Sequence, residues 1–69
     1  MQKHKKTAGE LSDMILMKMG IAGIRVDVHQ DSVYGWHVTV FGPPARVAQA
    51  QLEADRIAQD LRACCELSD

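Results

Sequence analysis

Two runs of strict alternation, joined by four residues, constrain this chain more than any other feature. From Ile24 to His29, the apolar residues Ile24, Val26 and Val28 interleave with Arg25, Asp27 and His29. From Tyr34 to Phe41, the residues Tyr34, Trp36, Val38 and Val40 interleave with Gly35, His37, Thr39 and Phe41. A two-residue period places each set on one face of a strand, and the β-branched residues suit extended backbone. The connection Gln30-Asp31-Ser32-Val33 is short enough for a hairpin. Pairing Val28 with Trp36, Val26 with Val38 and Ile24 with Val40 gathers the apolar side chains on one side. Gly42-Pro43-Pro44 ends the second strand, because neither proline donates to a ladder, and Pro44 is preset for the first turn of a helix.

Helices flank the hairpin. Thr7-Ala8-Gly9-Glu10 has the spacing of a capping box, which starts a helix at Thr7. Leu11, Met14, Ile15 and Lys18 share one face of it, Leu16, Met17 and Met19 widen the apolar arc, and Gly20 is suited to a left-handed stop. Ile21 is placed to fold back on Leu16 in a Schellman end. After Pro44 a stripe of Val47, Ala50, Ala54, Ile57, Leu61 and Cys64 marks the second helix, with Leu52 and Leu67 off the stripe. Gly20-Ile21-Ala22-Gly23 has the G-x-x-G spacing of a KH loop, yet it joins a helix to a strand and holds no basic residue. A helix stop and a strand start account for both glycines.

The predicted architecture is α+β, a two-layer helix-strand-strand-helix (αββα) domain over residues 7–69 with one antiparallel hairpin. Residues 1–6 carry three of the eight cations and one apolar residue, and read as a disordered basic tail. Without that tail, five cations face nine acids, so the body carries about −4. A single core in 69 residues seldom supplies more than about 3–5 kcal/mol, and a lone hairpin leaves two open edges. Both shortages are met if two copies join their hairpins into a four-stranded sheet, so a homodimer is expected.

Candidate sites are few. Asp27, His29 and His37 share the wet face of the hairpin and are weak candidate zinc ligands, with Asp27 opposite His37 in the register above; two histidines without a spacing motif are better explained as the polar face of an alternating strand. Cys64 continues the apolar stripe and is expected to be packed, whereas Cys65 at its margin is expected to be open to oxidants. Adjacent cysteines match neither a C-x-x-C redox motif nor zinc spacing, and they offer no disulfide framework. Phe41 on the polar face, Tyr34 at the hairpin end, and the off-stripe Leu52 and Leu67 are the candidate interface residues. Lys3, Lys5 and Lys6 are the candidate phosphate contacts.

No catalytic or cofactor signature is present. The longest apolar run, Met14-Ile15-Leu16-Met17, is too short for a membrane span or a signal-peptide core, so a cytoplasmic location is expected. These features favour a small non-enzymatic interaction or accessory module, acting as a homodimer or with another protein. A weak nucleic-acid-binding regulator using the lysine tail comes second, and a small metal- or His-dependent enzyme third.

Overall fold

The computed structural model describes residues 3–33 and 35–68. The elements run β1 (His4–Lys6), α1 (Ala8–Met19), β2 (Arg25–Asp31), β3 (Gly35–Phe41), α2 (Pro44–Arg62) and β4 (Cys65–Leu67). This is a small α+β fold, but its order is β-α-β-β-α-β rather than the expected α-β-β-α. The two extra strands lie at opposite ends of the chain and pair with each other in parallel, His4 with Cys65 and Lys6 with Leu67. His4 N–H donates to Cys64 C=O at 2.9 Å, and Ser68 N–H donates to Lys6 C=O at 2.9 Å. Residues 4–6 therefore depart from the tail reading. Their composition is that of a tail, but they gain backbone partners from a segment sixty positions away, which no local pattern announces.

Thr7 sets where α1 begins. Its Oγ1 accepts from Glu10 N–H at 3.1 Å while its own N–H donates to Glu10 Oε1 at 2.9 Å, so the capping box closes in both directions. Gly20 ends the helix at φ 64°, ψ 24°, and its N–H donates to Leu16 C=O at 3.1 Å. That bond is the single closure of an αL cap rather than the paired closure of a Schellman end. At the start of α2, Pro43 C=O accepts from both Arg46 and Val47 N–H. No side chain caps this end, and a proline in the first turn removes one of the orphan donors instead.

Both helices lie on one face of the hairpin, α1 against β2 and α2 against β3. Leu11 and Ile15 of α1 meet Val26, Val28, Trp36, Val38 and Val40, and α2 closes the core with Ala50, Ala54, Ala58 and Leu61. Three alanines at successive four-residue steps bring the α2 backbone close to the sheet, and Trp36, only 1% exposed, supplies the bulk. The stripe expected on α2 is thus shifted: Ala58 is buried where Ile57 is half-buried. Among the described residues no helix is long and apolar enough to cross a membrane.

The hairpin pairs Val28 with Val38, Val26 with Val40 and His29 with His37. The expected register is therefore off by two residues. Asp31 pairs with Gly35, and the turn is held by Val33 N–H donating to Asp31 Oδ1 at 2.7 Å and by Gly35 at φ 87°. A two-residue slip leaves every side chain on its own face, which is why the apolar set still coincides with the core.

The capping box gives two measurable consequences. Thr7→Ala should cost about 1 kcal/mol, lowering the melting midpoint by several degrees; an unchanged midpoint would place the helix start elsewhere. The Thr7 backbone bond outweighs an opposing desolvation and, with help from the Thr7 hydroxyl and Lys6, holds the Glu10 carboxyl below its ordinary value. A depressed carboxyl contributes stability above its unfolded-state pKa and loses it as pH falls through the folded value. The midpoint difference between the native chain and Glu10→Ala should therefore be full at neutral pH and close in acid. A difference independent of pH would contradict the assignment.

Candidate functional site

The wet face of the hairpin carries Arg25, Asp27, His29 and Asp31 of β2 opposite Phe41, Thr39, His37 and Gly35 of β3. The two-residue slip puts His29 directly across from His37, with ring centroids 4.2 Å apart and planes inclined by 57°. His29 Nε2 shares a hydrogen bond with Thr39 Oγ1 at 2.8 Å. His37 Nδ1 lies 3.0 Å from Asp31 Oδ2; a carboxylate only accepts, so this nitrogen carries the proton. Asp27 faces Thr39 instead of His37, and its charged neighbour is Arg25, with 4.0 Å between Nε and Oδ1. Of the expected trio, only the two histidines come together. Among the described residues no group of three His, Cys, Asp or Glu side chains is arranged to hold a metal ion. Asp31 and Thr39 are the partners that the alternation pattern missed, because a shorter turn moved them into reach.

Along β3 the polar side chains of α2 do something different. Gln51 Oε1 accepts from Val40 N–H at 2.9 Å, and Gln51 Nε2 donates to Val38 C=O at 3.0 Å. Asp55 Oδ1 steadies the same amide at 2.8 Å. Arg62 Nε donates to Trp36 C=O at 2.9 Å, and the guanidinium carbon sits 5.4 Å from the centre of the Trp36 ring. A groove of about 720 Å³ opens here, lined by Asp31, His37, Gln51, Asp55 and Arg62. Gln51, Asp55 and Arg62 are engaged in holding the strand rather than presented to a ligand.

These bonds also fix the direction of the strand edges. In an antiparallel strand the N–H and C=O of one residue point the same way, and successive residues alternate. Val38 and Val40 turn their backbone groups to α2, so Thr39 and His37 face β2, and on β2 it is Val26, Val28 and Gln30 whose groups point outward. The outer N–H and C=O groups of Val26 and Val28 meet no donor or acceptor among the described residues. One edge of the sheet is closed by side chains, and the other is open.

Of the apolar interface candidates, Phe41 is 49% exposed on the wet face and Leu52 is 72% exposed on α2. Leu67 belongs to β4 and packs partly against the core, which ends its helical placement. Tyr34 lies outside the described residues. Met17 and Val33, at 83% and 77%, are the exposed apolar side chains that the patterns did not single out. Lys5 and Lys6 sit on opposite faces of β1 by strand alternation, with Lys3 just before it, so the three lysines do not converge on one surface.

The cysteines exchange their expected roles. α2 ends at Arg62 and β4 starts at Cys65, so a strand carries Cys65 into the core while Cys64 is exposed. Their sulfurs are 3.5 Å apart. Burial, with the neighbouring Cys64 thiol adding to it, raises the Cys65 thiol above its ordinary pKa. In the folded protein an alkylating reagent should therefore add one label, at Cys64, with Cys65 labelled only after unfolding. Equal labelling of both, read by peptide mass spectrometry, would contradict the placement.

Comparison with models of known protein families, with characterised proteins and with solved structures finds no match to this chain.

Proposed function

We propose that this chain is a small non-enzymatic interaction module that works as a homodimer, with the open edge of β2 as its contact. The observation that carries this reading is the unequal treatment of the two edges. Gln51 and Arg62 occupy the backbone groups of β3, while those of Val26 and Val28 point outward and meet no partner among the described residues. An open edge presents unpaired N–H and C=O groups, and such a row is a template for another strand. Joining two β2 edges yields one four-stranded sheet, ordered β3-β2-β2-β3, bounded on both sides by a closed β3. On the wet face, His29 shares a hydrogen bond with Thr39 and His37 donates to Asp31, which orders the polar strip that runs beside the open edge.

Sedimentation at micromolar concentration should give twice the chain mass of 7.6 kDa. Backbone N-methylation at Val28, introduced by chemical synthesis, removes an N–H that points away from β3, so the hairpin ladder keeps its bonds and the outer edge loses one. This variant should be monomeric, or at least tenfold weaker in association, with its melt still cooperative. A native chain of 7.6 kDa throughout that range would overturn the proposal.

A further inference from the structure

The charge pattern of β2 selects one way for two copies to meet. Resting on the homodimer reading above, we infer that two β2 strands pair antiparallel with the two-fold axis at Val28, which sets Asp27 against His29 and Arg25 against Asp31 of the second copy. Only a limited set of registers is open to a seven-residue strand whose outward backbone groups belong to even-numbered residues. With the axis at Asp27, the two Asp27 carboxylates face each other, and like charges directly opposite are destabilising. With the axis at His29, Asp27 faces Asp31, again like against like. Axes at Val26 or Gln30 keep only three residues of each strand in register. The axis at Val28 uses all seven, sets the outward groups of Val28 against those of its counterpart as a hydrogen-bonded pair, and turns every odd-numbered pair into opposite or proton-sharing partners.

The same geometry preserves the layers. A two-fold axis perpendicular to the sheet leaves both sets of helices on one face, so Val28 and its counterpart become neighbours under a shared apolar layer, and the Arg25, Asp27, His29 and Asp31 side chains form one continuous polar strip on the other. Arg25 and Asp27 are solvated in the single chain, with side chains 78% and 50% exposed, so each is available to a partner across the axis. The chemistry recognised is that of a second copy of this strand. A polyanion would meet Asp27 and Asp31 along the same line.

Disulfide trapping reads the register directly. Chains carrying Asp27→Cys and chains carrying His29→Cys, both with Cys64→Ser to remove the exposed thiol, are mixed in equal amounts and mildly oxidised. Positions 27 and 29 become a non-hydrogen-bonded pair with Cα atoms about 4.5 Å apart, where a disulfide closes. The expected product is the mixed dimer, more than tenfold over either self-linked species. Self-linked Asp27→Cys or self-linked His29→Cys would overturn the register in favour of a neighbouring axis while leaving the homodimer reading intact. Monomeric sedimentation of the native chain would remove that reading itself. In a native sample mixing isotope-labelled and unlabelled chains, an intermolecular Hα–Hα contact between Asp27 and His29 should appear, and its absence from a protein that sediments as a dimer would overturn the inference without any substitution.

Discussion

A single amide side chain closes one edge of this sheet. Gln51, reaching from α2 to the N–H of Val40 and the C=O of Val38, stands where a third strand would otherwise pair. Buried or half-buried backbone groups left without partners cost about as much as a lost hydrogen bond, so this one contact both anchors α2 on the sheet and removes β3 as a pairing edge. Arg62 extends the closure to Trp36, where it also lies near the indole ring. The alanines of α2 make this possible: with Ala50, Ala54 and Ala58 buried, the helix comes near enough for a glutamine to span the gap. Among the described residues no side chain does the same for Val26 and Val28 of β2, and the asymmetry of the two edges follows from that.

The polar face of the hairpin repeats the principle at close range. His37 is turned by Asp31, His29 by Thr39, and the imidazoles lie against one another. Each imidazole thus has a side-chain partner on this face. Beside it, the outer backbone groups of Val26 and Val28 meet no donor or acceptor among the described residues.

Much of this was legible in the residues themselves. The capping box at Thr7, the stop at Gly20 and the two alternating strands are local devices, and each leaves a mark within a few positions. The register was not, because it depends on how many residues the turn consumes, and Gly35 reads as a strand residue until its positive φ is known. Cys64 and Cys65 exchanged places for a related reason: the period changes from 3.6 to 2 at the end of α2, and a stripe extended past that point selects the wrong sulfur. β1 and β4 are three residues each, too short for any period to show, and their pairing spans the whole chain. Gln51 escaped notice because a side chain that substitutes for a strand has no sequence pattern of its own.

Backbone amide exchange tests the account at its centre. In the single chain the amides of Val26 and Val28 point outward without an acceptor, whereas Val40 is held by Gln51 and His29 by the β2–β3 ladder. If two β2 edges pair, Val26 and Val28 should exchange as slowly as His29 at concentrations where the dimer forms, and should lose that protection on dilution while Val40 keeps it. Rapid exchange at Val26 and Val28 beside a protected Val40 at every concentration would contradict the account.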